Sequence, residues 1–243
     1  MPAFVTHLES TFDGSSHPSD RPQQVHENKP FLVRYDLDAV RAATTRETVM
    51  KRPATMWRFR ELLPLPSESD PVTLGETETP LLDCPRLAER LGMSSLRIKD
   101  ESRLPGGSFK ARGMAMAVSM AHHFGTKKMA VPTAGNAGGA LAAYAARAGI
   151  ECHVFMPRDT PVVNRLEAIA HGESQLVGFP VFHGNAGWPG VVSWPPRTVP
   201  NSNVVDVECE FGLFAKVQNR LVGAAPIAAE IGFVSVVPNQ PTA

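Results

Sequence analysis

Cysteine is scarce in this chain: Cys84, Cys152 and Cys209 are spread through 243 residues and never form a C-x-x-C pair. That excludes a disulfide framework and a recognisable thiolate metal site, and it fits a reducing compartment. No charge of either sign is in excess, with 24 Lys and Arg against 24 Asp and Glu. The polyelectrolyte signal of a nucleic-acid or anionic-membrane binder is therefore missing. No apolar run approaches membrane-spanning length, and Met1 to Glu9 has neither a basic n-region nor an apolar core of signal-peptide length. A cytoplasmic location is expected, with a small molecule as partner and neither nucleic acid nor membrane. Three consecutive glycines occur nowhere.

What is present is ordinary globular material, 43% hydrophobic and 20% charged, long enough for one large or two small domains. Residues 10 to 30 are rich in Ser, Asp, Pro, Gln and Gly and read as loop, with His17 and His26 solvated. Phe31 to Val33 reads as a short strand, followed by an amphipathic helix capped by Asp36. Trp57, Phe59, Leu62 and Leu63 form an apolar cluster that Pro64 and Pro66 close. Pro85 to Leu91 reads as a short helix, and Leu96 to Lys99 alternates apolar with basic, as a half-buried strand does. Beyond these lie a helix over Phe109 to His123, a strand at Lys128 to Pro132, a helix over Ala140 to Ala148, a strand at Glu151 to Met156 and a helix over Thr160 to His171. Strands alternating with helices predict an α/β fold with an open, mainly parallel sheet and flanking helices.

Two stretches carry chemistry. In Asp100-Glu101-Ser102-Arg103-Leu104-Pro105-Gly106-Gly107-Ser108-Phe109-Lys110-Ala111-Arg112-Gly113 a Pro/Gly turn leads into a helix with Ser108 as its expected N-cap and Lys110 in its first turn. A cation there opposes the helix dipole by only about 0.3 to 1 kcal/mol. Holding a lysine of reference pKa about 10.4 half neutral at pH 7 takes about 4 to 5 kcal/mol, so the dipole alone cannot activate it. Covalent attachment to an aldehyde cofactor can. The second stretch, Thr133 to Gly139, is a glycine-rich turn between a strand's end and a helix start, where free backbone amides favour an anion such as a carboxylate. Each stretch alone reads more readily as a surface lysine or a helix-cap loop; together, in this order, they reinforce one another and reverse that preference. His122, His123 and His153 are read as helix-end and sheet-face residues, without a catalytic role.

KDESRLPGGSFKARG resembles the cofactor-lysine motif of fold-type II pyridoxal phosphate enzymes, the tryptophan synthase beta group, and is most similar to that of threonine synthases. FLVRYDLDAV, MWRFRELLP and LGETETPLL resemble segments of the same family in the same order. The resemblance puts Lys110 on the Schiff-base lysine of pyridoxal 5'-phosphate. Thr133 to Ala137 fall on the family's S-x-G-N-x-(G/A) substrate loop, with Thr133 in place of Ser. By that likeness the amides of Thr133, Ala134, Gly135, Asn136 and Ala137 hold the amino-acid carboxylate, and the Asn136 side chain bonds the cofactor's phenolic oxygen. Ser102 stands where Gly is common and Gly106 where Thr is common.

The implied reaction is conversion of O-phosphohomoserine and water to threonine and phosphate. The alternatives are a β-eliminating dehydratase or sulfhydrylase, and a non-catalytic remnant. The implied partners are an amino-acid substrate and, as for a homodimer, a second copy. Some relatives carry a cysteine-rich metal ribbon near the N-terminus; with no cysteine before Cys84, no metal is expected. The likeness runs from about residue 31 to 172. The expected organisation is an N-terminal segment (1–55), a tryptophan synthase beta-like core (56–172) and a divergent tail (173–243), an incomplete second domain. The tail lacks a recognisable phosphate loop, as truncation or a reading-frame change would produce, and only Phe211 to Ile231 hints at helix.

Overall fold

Gly and Pro cut the apolar blocks of this sequence into short elements, and a computed structural model describes them over residues 4–157 and 159–171. It also describes the strand backbone of 174–179, 197–198, 204–206 and 235–237. The expected helix at Phe211 to Ile231 lies outside the described residues.

The N-terminal region departs from expectation. Strands β1 (Val5–Ser10), β2 (Ser16–His17), β3 (Val25–His26) and β4 (Lys29–Tyr35) form an antiparallel sheet in the order β2-β1-β4-β3. The stretch read as loop is thus partly strand, and its histidines are not simply solvated. The His17 and His26 rings lie 4.7 Å apart; Ser10 Oγ is 3.1 Å from His26 Nδ1, and Ser15 Oγ is 2.9 Å from His17 Nε2. Strand β4 contains the expected Phe31 to Val33, whereas β2 and β3 are only two residues long and carry no apolar periodicity to read. Helix α1 (Leu37–Ala43) starts where expected, its Ala39 amide donating to Asp36 Oδ1 at 2.9 Å. Thr45 caps α2 (Arg46–Met50) in the same way.

Strand β5 (Leu81–Asp83), helix α3 (Pro85–Arg90) and strand β6 (Arg97–Lys99) follow, with β5 and β6 forming an antiparallel ribbon separate from the main sheet. Every residue of β6 is exposed, so the half-buried strand expected at Leu96 to Lys99 is a solvated one.

The core comes from α4 (Lys110–His123), β7 (Lys128–Pro132), α5 (Asn136–Ala148), β8 (Glu151–Pro157), α6 (Val162–Ala170) and β9 (Ser174–Phe179). Strands β7, β8, β9 and β11 (Val204–Asp206) are mutually parallel. Two-residue β10 (Arg197–Thr198) and three-residue β12 (Ser235–Val237) close the edges antiparallel, in the order β10-β11-β9-β8-β7-β12. The fold is α/β as predicted, but "mainly parallel" holds only for the centre of this sheet. The N-terminal sheet and the β5–β6 ribbon are antiparallel, and the two ribbon strands are joined through α3 rather than by a tight hairpin.

Met114, Ala115, Val118, Met129, Val131, Leu141, Tyr144, Val154 and Met156 are among the buried core residues. Fully burying a side chain of Leu or Val size stabilises by about 1.5 to 3 kcal/mol relative to exposure. Small residues in α5 let it lie against the sheet: a Cβ on Gly138 would come 2.6 Å from Met156 Cε and 2.7 Å from Val154 Cγ1. Among the described residues no helix is long and apolar enough to cross a membrane.

Candidate active site

The lysine turn is built from the inside out. Leu104 is buried in the core and pins the start of Pro105–Gly107, and Gly106 and Gly107 adopt φ of 68° and 63°, a left-handed pair that only glycine enters freely. The chain thereby reverses into α4, whose first residue is Lys110. Lys110 is half-buried, and its Nζ lies 4.5 Å from the centroid of the Phe109 ring, a cation–π contact. Ser108 is not the cap it was expected to be. Its side chain is buried, and its hydroxyl has no hydrogen-bond partner among the described residues. A buried orphan hydroxyl is uncommon and calls for a partner supplied from elsewhere.

The turn is tied to its surroundings by one carboxylate. Glu101, at the end of the ribbon, takes a two-pronged bond from Arg112 on α4 (Nε to Oε2 2.6 Å, Nη2 to Oε1 2.9 Å) and another from the Thr79 hydroxyl. The Arg112 hydrogen bond, against the cost of desolvation and with help from Thr79 and Lys99, pulls the Glu101 pKa from 4.5 to about 2. Lys99 Nζ also donates to the Thr79 carbonyl at 3.1 Å. Glu101 and Arg112 thus bracket the segment that carries Ser108 and Lys110.

The second loop follows β7. Thr133 Oγ1 accepts from the Gly135 amide at 3.1 Å and so makes the turn, while the Thr133 amide donates to Phe155 O at 2.9 Å. Two of the five amides from 133 to 137 are therefore engaged within the protein. Those of Ala134, Asn136 and Ala137 have no backbone acceptor among the described residues, and Asn136 and Ala137 open α5. The helix begins at Asn136, so Ala137, Gly138 and Gly139 belong to its first turn and not to a loop.

Both stretches meet at one end of α5, which packs against the Pro105–Gly107 turn. Between them lies Glu167 of α6. A Cβ on Gly106 would come 2.9 Å from Glu167 Oε1, and one on Gly139 would come 2.3 Å from Glu167 Cδ. One turn earlier, Asn164 Nδ2 donates to Asn136 Oδ1 at 2.9 Å. Neither α6 residue was singled out from sequence. Their three-residue spacing puts them on one helix face, which is the only local signal they give. His122 and His123 take no part; His123 Nδ1 meets Ser69 Oγ at 2.8 Å rather than the helix carbonyls. Among the described residues no three metal-ligating side chains cluster.

Behind the site Glu76 is fully buried and accepts from the Trp57 indole, the Thr73 and Tyr144 hydroxyls and the Leu74 amide. Burial pushes its pKa up, but these four donors outweigh it and leave the carboxyl below its ordinary range. The Tyr144 phenol is pushed far up, by burial first and by Glu76 second.

Residues 72–187 match the family described as "Pyridoxal-phosphate dependent enzyme". Threonine synthase of Methanocaldococcus jannaschii is 37% identical over 139 residues, 57% of this chain and 34% of that protein. Threonine synthase of Methanosarcina acetivorans is 40% identical over 123 residues, 50% of this chain and 30% of that protein. That of Mycobacterium leprae is 41% identical over 121 residues, 49% of this chain and 33% of that protein. The chain thus spans about a third of the length of these curated relatives. Over residues 72–187 the chain is thus similar to the pyridoxal-phosphate dependent enzymes, and the likeness supports pyridoxal 5'-phosphate as cofactor.

Proposed function

We propose that the chain carries the cofactor-lysine half of a threonine synthase, a lyase acting on O-phosphohomoserine to give threonine and phosphate, with residues 56–172 as its core. The observation that supports this is the meeting of the Lys110 turn and the first turn of α5, which Asn136 opens, around one side chain, Glu167, within a stretch similar to threonine synthases. The surroundings fit the cofactor: a primary amine sits at a helix start, and the nearby Ser108 hydroxyl is buried and lacks a partner among the described residues.

Lys110 would hold the cofactor through its aldehyde, and Asn136 would donate to its phenolic oxygen. When bound, the cofactor supplies an electron sink that acidifies the α-carbon of an amino acid. The Lys110 amine is then the group that takes and returns protons at the α- and β-carbons, which requires it within hydrogen-bond reach of each. The amides of Ala134, Asn136 and Ala137 orient the substrate carboxylate at the α5 N-terminus.

Borohydride reduction after incubation with pyridoxal phosphate should label Lys110 on peptide mapping; a label confined to other lysines refutes the assignment. Asn136→Ala should lower cofactor affinity and turnover far more than stability, since the residue is exposed. Phosphate and threonine from O-phosphohomoserine would separate this reaction from ammonia release from threonine or serine, the product of a dehydratase. Because no glycine triplet is available as a phosphate cup, the isolated chain is expected to hold its cofactor weakly and turn over slowly. Tight retention with turnover on the order of 1 per second would overturn that expectation.

A further inference from the structure

An asparagine side chain has two faces, a carbonyl that accepts and an NH2 that donates, and which face it presents to a ligand depends on what holds the other. Asn136 is exposed at the first position of α5, where nothing in its own helix fixes the amide. Its Oδ1 is taken by Asn164 Nδ2 at 2.9 Å, and its NH2 has no partner among the described residues. Asn164 is itself well held. Its backbone amide donates to Pro161 O at 3.0 Å, anchoring it in the first turn of α6. Its Nδ2 lies 3.8 Å from where a Gly135 Cβ would stand, a position that glycine leaves open. One turn on, the Glu167 side chain lies against Gly106 of the lysine turn and Gly139 in the first turn of α5.

From this geometry we infer that Asn164 is a positioning residue: by donating to the Asn136 carbonyl it turns the Asn136 NH2 outward as a donor to an acceptor oxygen on the bound ligand. The inference rests on the proposed function, in which that acceptor is the phenolic oxygen of the cofactor. It makes α6, an element outside both recognised motifs, a working part of the site. Asn164 acts only through Asn136 and need not touch the ligand.

The test is a double-variant cycle on cofactor affinity, measured by titrating the full chain with pyridoxal phosphate and following the visible absorbance of the lysine-bound form. Asn136→Ala and Asn164→Ala should each raise the dissociation constant, Asn136→Ala by about tenfold or more, as for loss of a hydrogen bond to a charged group. The double variant should be no worse than Asn136→Ala alone. Asn164→Asp should bind more weakly than Asn164→Ala. A carboxylate can only accept, so it would draw the Asn136 NH2 toward itself and present the carbonyl to the ligand's oxygen. Thermal unfolding of each variant separates these effects from loss of fold.

An Asn164→Ala effect that multiplies with that of Asn136→Ala would overturn the inference, as would unchanged affinity in both Asn164 variants while Asn136→Ala binds weakly. Failure of the underlying reading looks different: the absorbance survives Lys110→Ala, or Asn136→Ala binds like the parent.

Discussion

The α4–β7–α5–β8 layer and the β5–β6 ribbon with α3 are both rich in aliphatic residues, yet they meet opposite fates. In the layer Val118, Val131, Leu141, Tyr144 and Val154 are completely buried, whereas in the ribbon and its helix Leu81, Leu82, Leu87, Leu91 and Ile98 are all exposed. What differs is the availability of a facing surface, not apolar content. The layer's stability is therefore a packing property. The ribbon is joined to it through polar ties, chiefly the Glu101 bonds to Arg112 and Thr79. The Lys110 turn hangs between the two, with Leu104 rooted in the core on one side and Glu101 bridged to Arg112 on the other. Its position depends on both kinds of force.

Four changes would break or sharpen this contrast, in falling order of effect. Leu141→Ala empties a fully buried site and should cost about 2 to 5 kcal/mol in denaturant unfolding; a loss under about 1 kcal/mol would show that the layer is not the stabilising core. Gly139→Ala forces a methyl onto Glu167 and should cost about 1 to 3 kcal/mol. Adding Glu167→Ala should restore most of that loss, and a purely additive double variant would mean that α6 does not seat where described.

Arg112→Ala removes the main partner of Glu101 and should cost about 1 to 2 kcal/mol at pH 7. Glu101 has a folded pKa of about 2 against an ordinary 4.5. A depressed carboxyl stabilises above its unfolded pKa and loses that contribution as pH falls toward the folded one. The gap between parent and Arg112→Ala should therefore be full above about pH 5 and narrow progressively between pH 4.5 and 2; a gap independent of pH would remove the ion pair as its cause. Smallest of all, Leu82→Ser on the exposed ribbon should stay within about 0.5 kcal/mol of the parent, and a larger loss would indicate that this face is covered.

The same contrast explains what could be read from sequence. From Lys128 to Ala170 the strands and helices fell within two residues of expectation at nearly every boundary. There, apolar blocks are continuous and cut by Gly125, Gly135 and Gly149. The ribbon strand at Arg97 was legible as a strand but not as an exposed one, because alternation reports periodicity and says nothing about a partner. The N-terminal sheet was missed where Ser16–His17 and Val25–His26 are two residues long, too short for any periodicity to show. Ser108 satisfied every local rule for an N-cap, yet its hydroxyl is turned into the protein by the left-handed Gly106–Gly107 pair before it. At the site, the lysine turn and the Thr133 loop announced themselves through glycine spacing. Asn164 and Glu167 could not, since which loop a helix face will meet is decided by contacts some thirty residues away.

Glu76 has a bearing on how the molecule assembles. Its four donors come from positions 57, 73, 74 and 144, so its carboxylate is bound to residues 19 positions before it and 68 after it. Until α5 docks, Tyr144 is absent and the charge must stay hydrated; once docked, leaving it short of a donor is expensive. The last contact therefore requires closure of a long loop whose entropy is lost before the bond is gained. Glu76 thus acts as a check on completion: a chain with the helix misregistered by one residue carries a dehydrated, under-bonded anion at its centre and reopens, while the correctly closed chain does not.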